Sequence, residues 1–398
     1  QPTPAERRVA AVLIGGMSAY DAVFVATALG GVFVLGYRFD LLFPDFIVFH
    51  AATRAFFDGK LAVLYDVNAF TDLQNTLHAA ALPVGFRPFL YPPLWLLDLL
   101  PFGLMPLLPA ATVFLLLTAA IGAVGLRAAG LEHWPILLIL TAPAAIWVVI
   151  AGQNTFLSVG LLYGGLALLE RRPLLAGLAL GLLAYKPQVW VLVPLALLAA
   201  RAWWALAAMI ATVAAQSLVT LLLFGTACWL DFAAAALRAG SGAAAAEMYD
   251  RVHTHMTTLL AAAKTLGWAN GPAMGLQLAG SALAVAAVTW AFARHPPSHA
   301  RTAVLVTATF LVSPYTLNYD MLLLMPAAAL LFLHPAPTGY LPGELAVYPA
   351  LWLVPHFCMT LNAAGLPLTP LVILLFGAIA VKRLTAPKLD SPVAAGPR

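Results

Sequence analysis

Charge is what this sequence has least of. Only 9% of its 398 residues are Asp, Glu, Lys or Arg, while 63% are hydrophobic; soluble domains carry about 25% charged residues. So few charges cannot build a water-facing shell, which excludes an ordinary soluble domain. Cysteine is nearly missing too. Cys228 and Cys358 lie far apart and form no CxxC pair, so neither a disulfide framework nor a zinc site follows, and both read as apolar filler. No block of one charge sign exists: the net +4 is small and spread along the chain, which argues against a nucleic-acid partner. Nor is there a repeat of fixed period. The first apolar run is too long for a cleavable signal peptide and lacks a small-residue cleavage site, so it is expected to remain as the first span.

What is present is a succession of apolar stretches, and the bilayer supplies the surface they need. The fold class expected is an all-α integral membrane bundle of about twelve spans in one membrane domain, residues 1–398. The spans are placed at 18–37, 106–128, 134–151, 154–170, 173–185, 187–200, 202–224, 274–293, 301–314, 318–335, 341–358 and 366–382. With a cytoplasmic N-terminus they put Arg7, Arg8, Arg127, Arg171, Arg172, Arg201, Arg294, Arg301, Lys382, Arg383, Lys388 and Arg398 inside. That is twelve of the 20 basic residues, in short connections where the positive-inside bias is informative. Both termini are therefore expected in the cytoplasm. Two long polar segments, 38–105 and 225–273, fall outside with most of the acids, and chemistry is expected there.

In the first outer segment, Pro44 and Asp45 can start a helix that runs to Asp58 and stops at Gly59. Phe46, Phe49, Thr53, Phe56 and Phe57 share one side and His50, Arg54 and Asp58 another, the pattern of an amphipathic interfacial helix. Asp45, with Asp40 five residues before it, can serve as a general base or as a helix N-cap. Further along, the run Gly85 to Pro93 holds Arg87 and Tyr91 in an aromatic, proline-rich turn.

Lys186 interrupts an apolar stretch within Ala184-Tyr185-Lys186-Pro187-Gln188. An ammonium at membrane depth is costly unless it snorkels or has a partner. Two short helices meeting at this proline would aim it at an anion; an ordinary loop lysine is the other reading. The turn Ala151-Gly152-Gln153-Asn154 offers amides either for structure or for sugar hydroxyls. The junction Ser313 to Asp320 holds Tyr315 and Tyr319, and Asp320 there either caps the next helix or belongs to a site. In Tyr249 to His255 the histidines lack a third ligand of suitable spacing, so no metal is expected; His255, preceding an interfacial helix start at Met256, is the better candidate for phosphate.

Taken together these pieces resemble a family, the polyprenyl-phosphate-sugar-dependent transferases of the GT-C superfamily, specifically the mannosyltransferase-like family 87. The likeness rests on Pro44-Asp45-Phe46 followed by Arg54, Gly59 and Leu64-Tyr65-Asp66, then Tyr91-Pro92-Pro93, Gly152-Gln153-Asn154, Lys186-Pro187-Gln188, and Ser313-Pro314-Tyr315 through Asp320, spanning residues 40 to 320. It implies a metal-independent enzyme with no cofactor, moving mannose or a related sugar from a polyprenyl monophosphate to a lipid or glycan acceptor by inverting displacement. The setting implied is the outer face of a bacterial plasma membrane. Asp45 matches the family's base and Lys186 its phosphate-facing cation, with His255 and Arg87 as further phosphate ligands. Asp40, Arg54, Tyr91, Gln153, Asn154, Gln188, Tyr315 and Asp320 are the expected substrate-binding set. The chain departs from the pattern at His255-Met256-Thr257, where many relatives have Asn-Gln-Ser. A competing class is a transporter or lipid flippase, whose broken helices also place ionisable groups at membrane depth; it would predict an internal duplication, which is not seen.

Overall fold

The computed structural model describes residues 3–33, 43–78, 87–239 and 249–386, and among them the protein is all helical. The first outer segment contains α2 (Pro44–Phe57), α3 (Val67–Leu77) and α4 (Pro93–Leu99), after the long N-terminal α1 (Pro4–Phe33). There follow α5 (Leu107–Ala128), α6 (His133–Thr141), α7 (Pro143–Ala151), α8 (Thr155–Leu168), α9 (Pro173–Leu182), α10 (Pro187–Trp190), α11 (Val193–Ala199) and α12 (Trp203–Ala239). The C-terminal half adds α13 (Leu259–Thr265), α14 (Asn270–Arg294), α15 (His299–Val312), α16 (Leu324–Leu333), α17 (Glu344–Ala363) and α18 (Thr369–Thr385).

Five of the described helices, α1, α5, α12, α14 and α17, are long and apolar enough to cross a membrane. A sixth crossing results if α6 and α7, bent by 56° at Ala142–Pro143, count as one. The other apolar runs break into pieces of 10–17 residues, short of the roughly 20 that a straight crossing needs. Proline is the physical cause at several breaks, since it removes an amide donor and clashes with the preceding turn: Pro143 parts α6 from α7, and Pro187 opens α10 after the 3-10 turn Leu183–Tyr185. The lipid-facing surface is plain on α12, where Trp204, Leu222 and Leu230 are each about 70% exposed or more; such side chains need an apolar solvent.

Close packing is set by small residues. α5 lies along α8, and a methyl group at Gly125 would stand 2.2 Å from the Gly160 carbonyl oxygen. Only glycine permits that approach, the usual device where lipid supplies no hydrophobic drive between helices.

Two expectations need correction. α2 has the expected limits, with its C-cap at Asp58 and a left-handed Gly59 after it, but its phenylalanine face is packed against protein and not left open for lipid. Phe46, Phe49, Ala51, Ala52, Thr53 and Ala55 are at most 1% exposed and His50 only 7%, because Trp95, Phe102 and Phe114 close around the phenylalanines. The second outer segment, 225–273, also begins as helix: α12 bends at Gly225, φ 78°, and continues to Ala239. Arg38, Asp40, Gly85, Phe86, Glu247, Lys388 and Arg398 lie outside the described residues.

Candidate active site

A cavity of about 220 Å³ opens among the segments read as external. Asp45 and Phe49 of α2, Arg87 and Tyr91 of the segment before α4, Gln153, Gln188, Val252, Tyr315, Tyr319 and Asp320 all line it. Residues from six separate stretches of sequence thus converge on one space.

Local backbone geometry brings the first two stretches together. α7 ends at Gly152 in the left-handed region, φ 72°, and a Cβ there would come 2.6 Å from the Phe46 Cβ. The Phe43 amide donates to the Ile150 carbonyl at 2.8 Å, which ties the start of α2 to the end of α7. Phe43, itself left-handed, is the N-cap of α2, and no side chain caps this helix. Asp45 is therefore not a cap. Among the described residues its carboxylate accepts one hydrogen bond, from Gln153 Nε2 to Oδ2 at 2.7 Å. Burial raises the Asp45 pKa; the Gln153 bond and then the positive fields of Arg87 and Lys186 lower it, and Asp320 raises it further. Desolvation dominates, so the carboxyl is a stronger base than an exposed aspartate.

Gln153 is the hub of the site. Its Nε2 also donates to the Tyr319 hydroxyl at 3.1 Å, while its Oε1 accepts from the Tyr91 hydroxyl at 3.2 Å and from the Asn154 amide at 3.2 Å. Beneath the cavity floor, Lys186 Nζ meets Asp320 Oδ1 at 2.5 Å, Asn154 Oδ1 at 3.1 Å and Thr155 Oγ1 at 3.4 Å. Both charged side chains of this pair are at most 3% exposed. Asp320 also accepts from the Leu317 amide at 3.0 Å, so it caps its turn and pairs with the lysine. A buried ammonium is tolerable only with such partners; all three donors of Lys186 are engaged within the protein.

The expected site residues divide accordingly. Asp45, Arg87, Tyr91, Gln153, Gln188, Tyr315 and Asp320 line the cavity. Asn154 and Lys186 lie behind it as a buried support, and the expectation that Lys186 points at an anionic substrate is corrected: it points at Asp320. Arg54 does not reach the cavity, because it turns outward to Asp58 at 2.7 Å. His255 is not among the lining residues either, and burial, followed by the neighbouring His253, lowers its pKa, which disfavours the cation a phosphate would want. Asp40 is outside the described residues. Tyr319 is a polar cavity residue that the sequence did not single out for substrate. Its partner Gln153 is 166 positions away, and no local pattern encodes that contact.

No curated protein and no solved structure matches the chain. One family model does: residues 89–314 match, a range that takes in Tyr91, Gln153, Lys186 and Gln188 but starts after Asp45 and Arg87 and stops short of Tyr315, Tyr319 and Asp320. That range is more than half of the chain, and the protein belongs to glycosyltransferase family 87.

Proposed function

We propose that this membrane glycosyltransferase moves a sugar, mannose or a close relative, from a polyprenyl monophosphate to a hydroxyl of a lipid or glycan acceptor, with inversion at the anomeric carbon. The observation that carries the reading is Asp45 itself: a desolvated carboxylate with one hydrogen bond among the described residues, facing a cavity that Arg87 shares. Asp45 takes the proton of the acceptor hydroxyl as its oxygen bonds to the anomeric carbon. On the opposite side the bond to the phosphate oxygen breaks and its electron pair leaves with the phosphate. Arg87 meets that charge, since a guanidinium matches phosphate geometry with paired donors. Lys186 acts indirectly, by balancing Asp320 and anchoring Asn154 beside Gln153. No divalent cation enters this scheme, because a monophosphate leaving group asks for less neutralisation than a pyrophosphate. Placing the cavity on the outer face of a bacterial plasma membrane, with both termini inside, belongs to the same proposal; it is supported by the convergence of the segments read as external into one cavity.

The test is to incubate purified protein with radiolabelled polyprenyl-phosphate sugars and cell-envelope lipids, with and without EDTA, and again in sealed vesicles of known orientation. Transfer that survives EDTA and needs substrate on the outer side is expected. Movement of unaltered lipid across the membrane with no sugar transfer would instead favour the transporter reading.

A further inference from the structure

The hydrogen-bond directions around Gln153 are determined by its neighbours. An ionised Asp45 can only accept, so the amide nitrogen must face it; the Asn154 backbone N–H can only donate, so the amide oxygen must face that side. The Tyr91 hydroxyl then donates to Gln153 Oε1, and burial, which raises the Tyr91 pKa, keeps that proton in place. The Tyr319 hydroxyl, in contrast, accepts from Gln153 Nε2. Its own proton has no acceptor in the protein among the contacts seen, and the residue lines the cavity.

The two groups on the amide nitrogen form a matched pair, Asp45 Oδ2 as acceptor and the Tyr319 hydroxyl as donor. Bonded at 2.7 and 3.1 Å to the two hydrogens of one nitrogen, they stand about 5 Å apart for trigonal geometry, and one oxygen at about 3 Å from each fits between them without crowding that nitrogen. We propose that Tyr319 donates its phenolic proton to the same substrate hydroxyl whose own proton Asp45 accepts. The inference rests on the transferase reading for which hydroxyl this is, the acceptor nucleophile. Held so, that oxygen gives its proton to Asp45, spends one lone pair on Tyr319 and keeps the other for the anomeric carbon. The C–O bond to sugar forms, the C–O bond to phosphate breaks, the phosphate departs with the electron pair, and Tyr319 retains its proton throughout. Tyr319 is thereby a residue that touches substrate and selects the acceptor.

Tyr319→Phe removes the hydroxyl and keeps the ring that lies 5.6 Å from Lys186 Nζ, so packing is preserved. Tyr340→Phe is the comparison, because it removes a phenolic hydroxyl that donates to the Phe332 carbonyl at 2.9 Å, away from the cavity. The probe is a set of octyl glycosides of mannose, glucose and galactose, titrated calorimetrically into protein in nanodiscs. The expected result is that at least one binds the wild type, that Tyr319→Phe weakens it about tenfold, the effect of one lost hydrogen bond to a buried partner, and that Tyr340→Phe changes it by less than about twofold. Tyr319→Phe with wild-type affinity, equal weakening by both variants, or no glycoside bound by the wild type would each overturn the inference. The binding contrast seen without sugar transfer from any polyprenyl-phosphate donor would sink the transferase chemistry while supporting Tyr319 as the holder of a substrate hydroxyl.

Discussion

Two buried ion pairs stand in different parts of this protein, and their differences separate architecture from chemistry. Arg383 of α18 donates to Glu344 of α17 through Nε at 2.9 Å and Nη2 at 2.6 Å, and neither side chain exceeds 4% exposure. The remaining capacity of the carboxylate is used by the Tyr348 hydroxyl and the Leu341 amide, and Arg383 continues to the carbonyls of His334 and Leu331. Every group there is satisfied within the protein, so the pair acts as a staple between helix ends. Lys186 and Asp320 are as deeply buried, but Asp320 lines the cavity, and Asn154 links the pair to Gln153 and so to Asp45. Asp45 keeps an oxygen without a partner among the contacts seen. A buried charge alone does not mark a site; unfilled acceptor capacity facing a cavity does.

The largest effects should come from breaking either pair by one member. Arg383→Met and Lys186→Met each strand a buried carboxylate and should lower stability by about 3–5 kcal/mol, read by chemical denaturation in a mild detergent. Removing the second charge should then set the two regions apart. Arg383→Met with Glu344→Leu is expected to recover most of the stability with normal turnover per folded molecule, whereas Lys186→Met with Asp320→Leu should recover stability without recovering turnover. Equal recovery of turnover in both would erase the distinction.

A smaller effect is expected at the cavity wall. In the proposed transfer Arg87→Gln loses a charge-assisted contact to phosphate, worth tenfold or more in donor affinity at about 1.5–3 kcal/mol. It also removes a field that lowers the Asp45 pKa. The base must be ionised to act, so turnover falls as pH drops through that pKa; with Arg87 gone the pKa rises and the acid limb of the kcat profile moves to higher pH. A limb that stays in place would detach Arg87 from Asp45.

Much of the backbone was legible in the sequence because its signals are local. Pro44 and Gly59 bound α2, and Pro187 marks the break after Lys186. The number of crossings was not legible. Apolar composition does not distinguish a full span from two short pieces joined at a proline, and only five described helices have crossing length. The burial of α2 was missed for a related reason: its phenylalanines read equally well against lipid or against Trp95 and Phe114. In the site, Asp45 stood out by its place after the first apolar run, but the partner of Lys186 is 134 positions away and that of Asp45 is 108 away. Single residues announce their chemistry; pairings across such distances do not.

If Asp45 is the base of the proposed transfer, removing its basicity alone must stop turnover. Asp45→Asn keeps size and the chance of a bond to Gln153 but removes basicity, and no cap is lost because Asp45 caps nothing. With the thermal midpoint measured on the same samples, the expected result is a folded protein, donor affinity nearly unchanged and turnover reduced at least about a hundredfold, the lower end of what general-base catalysis contributes. Near-normal turnover in a folded Asp45→Asn protein would contradict it.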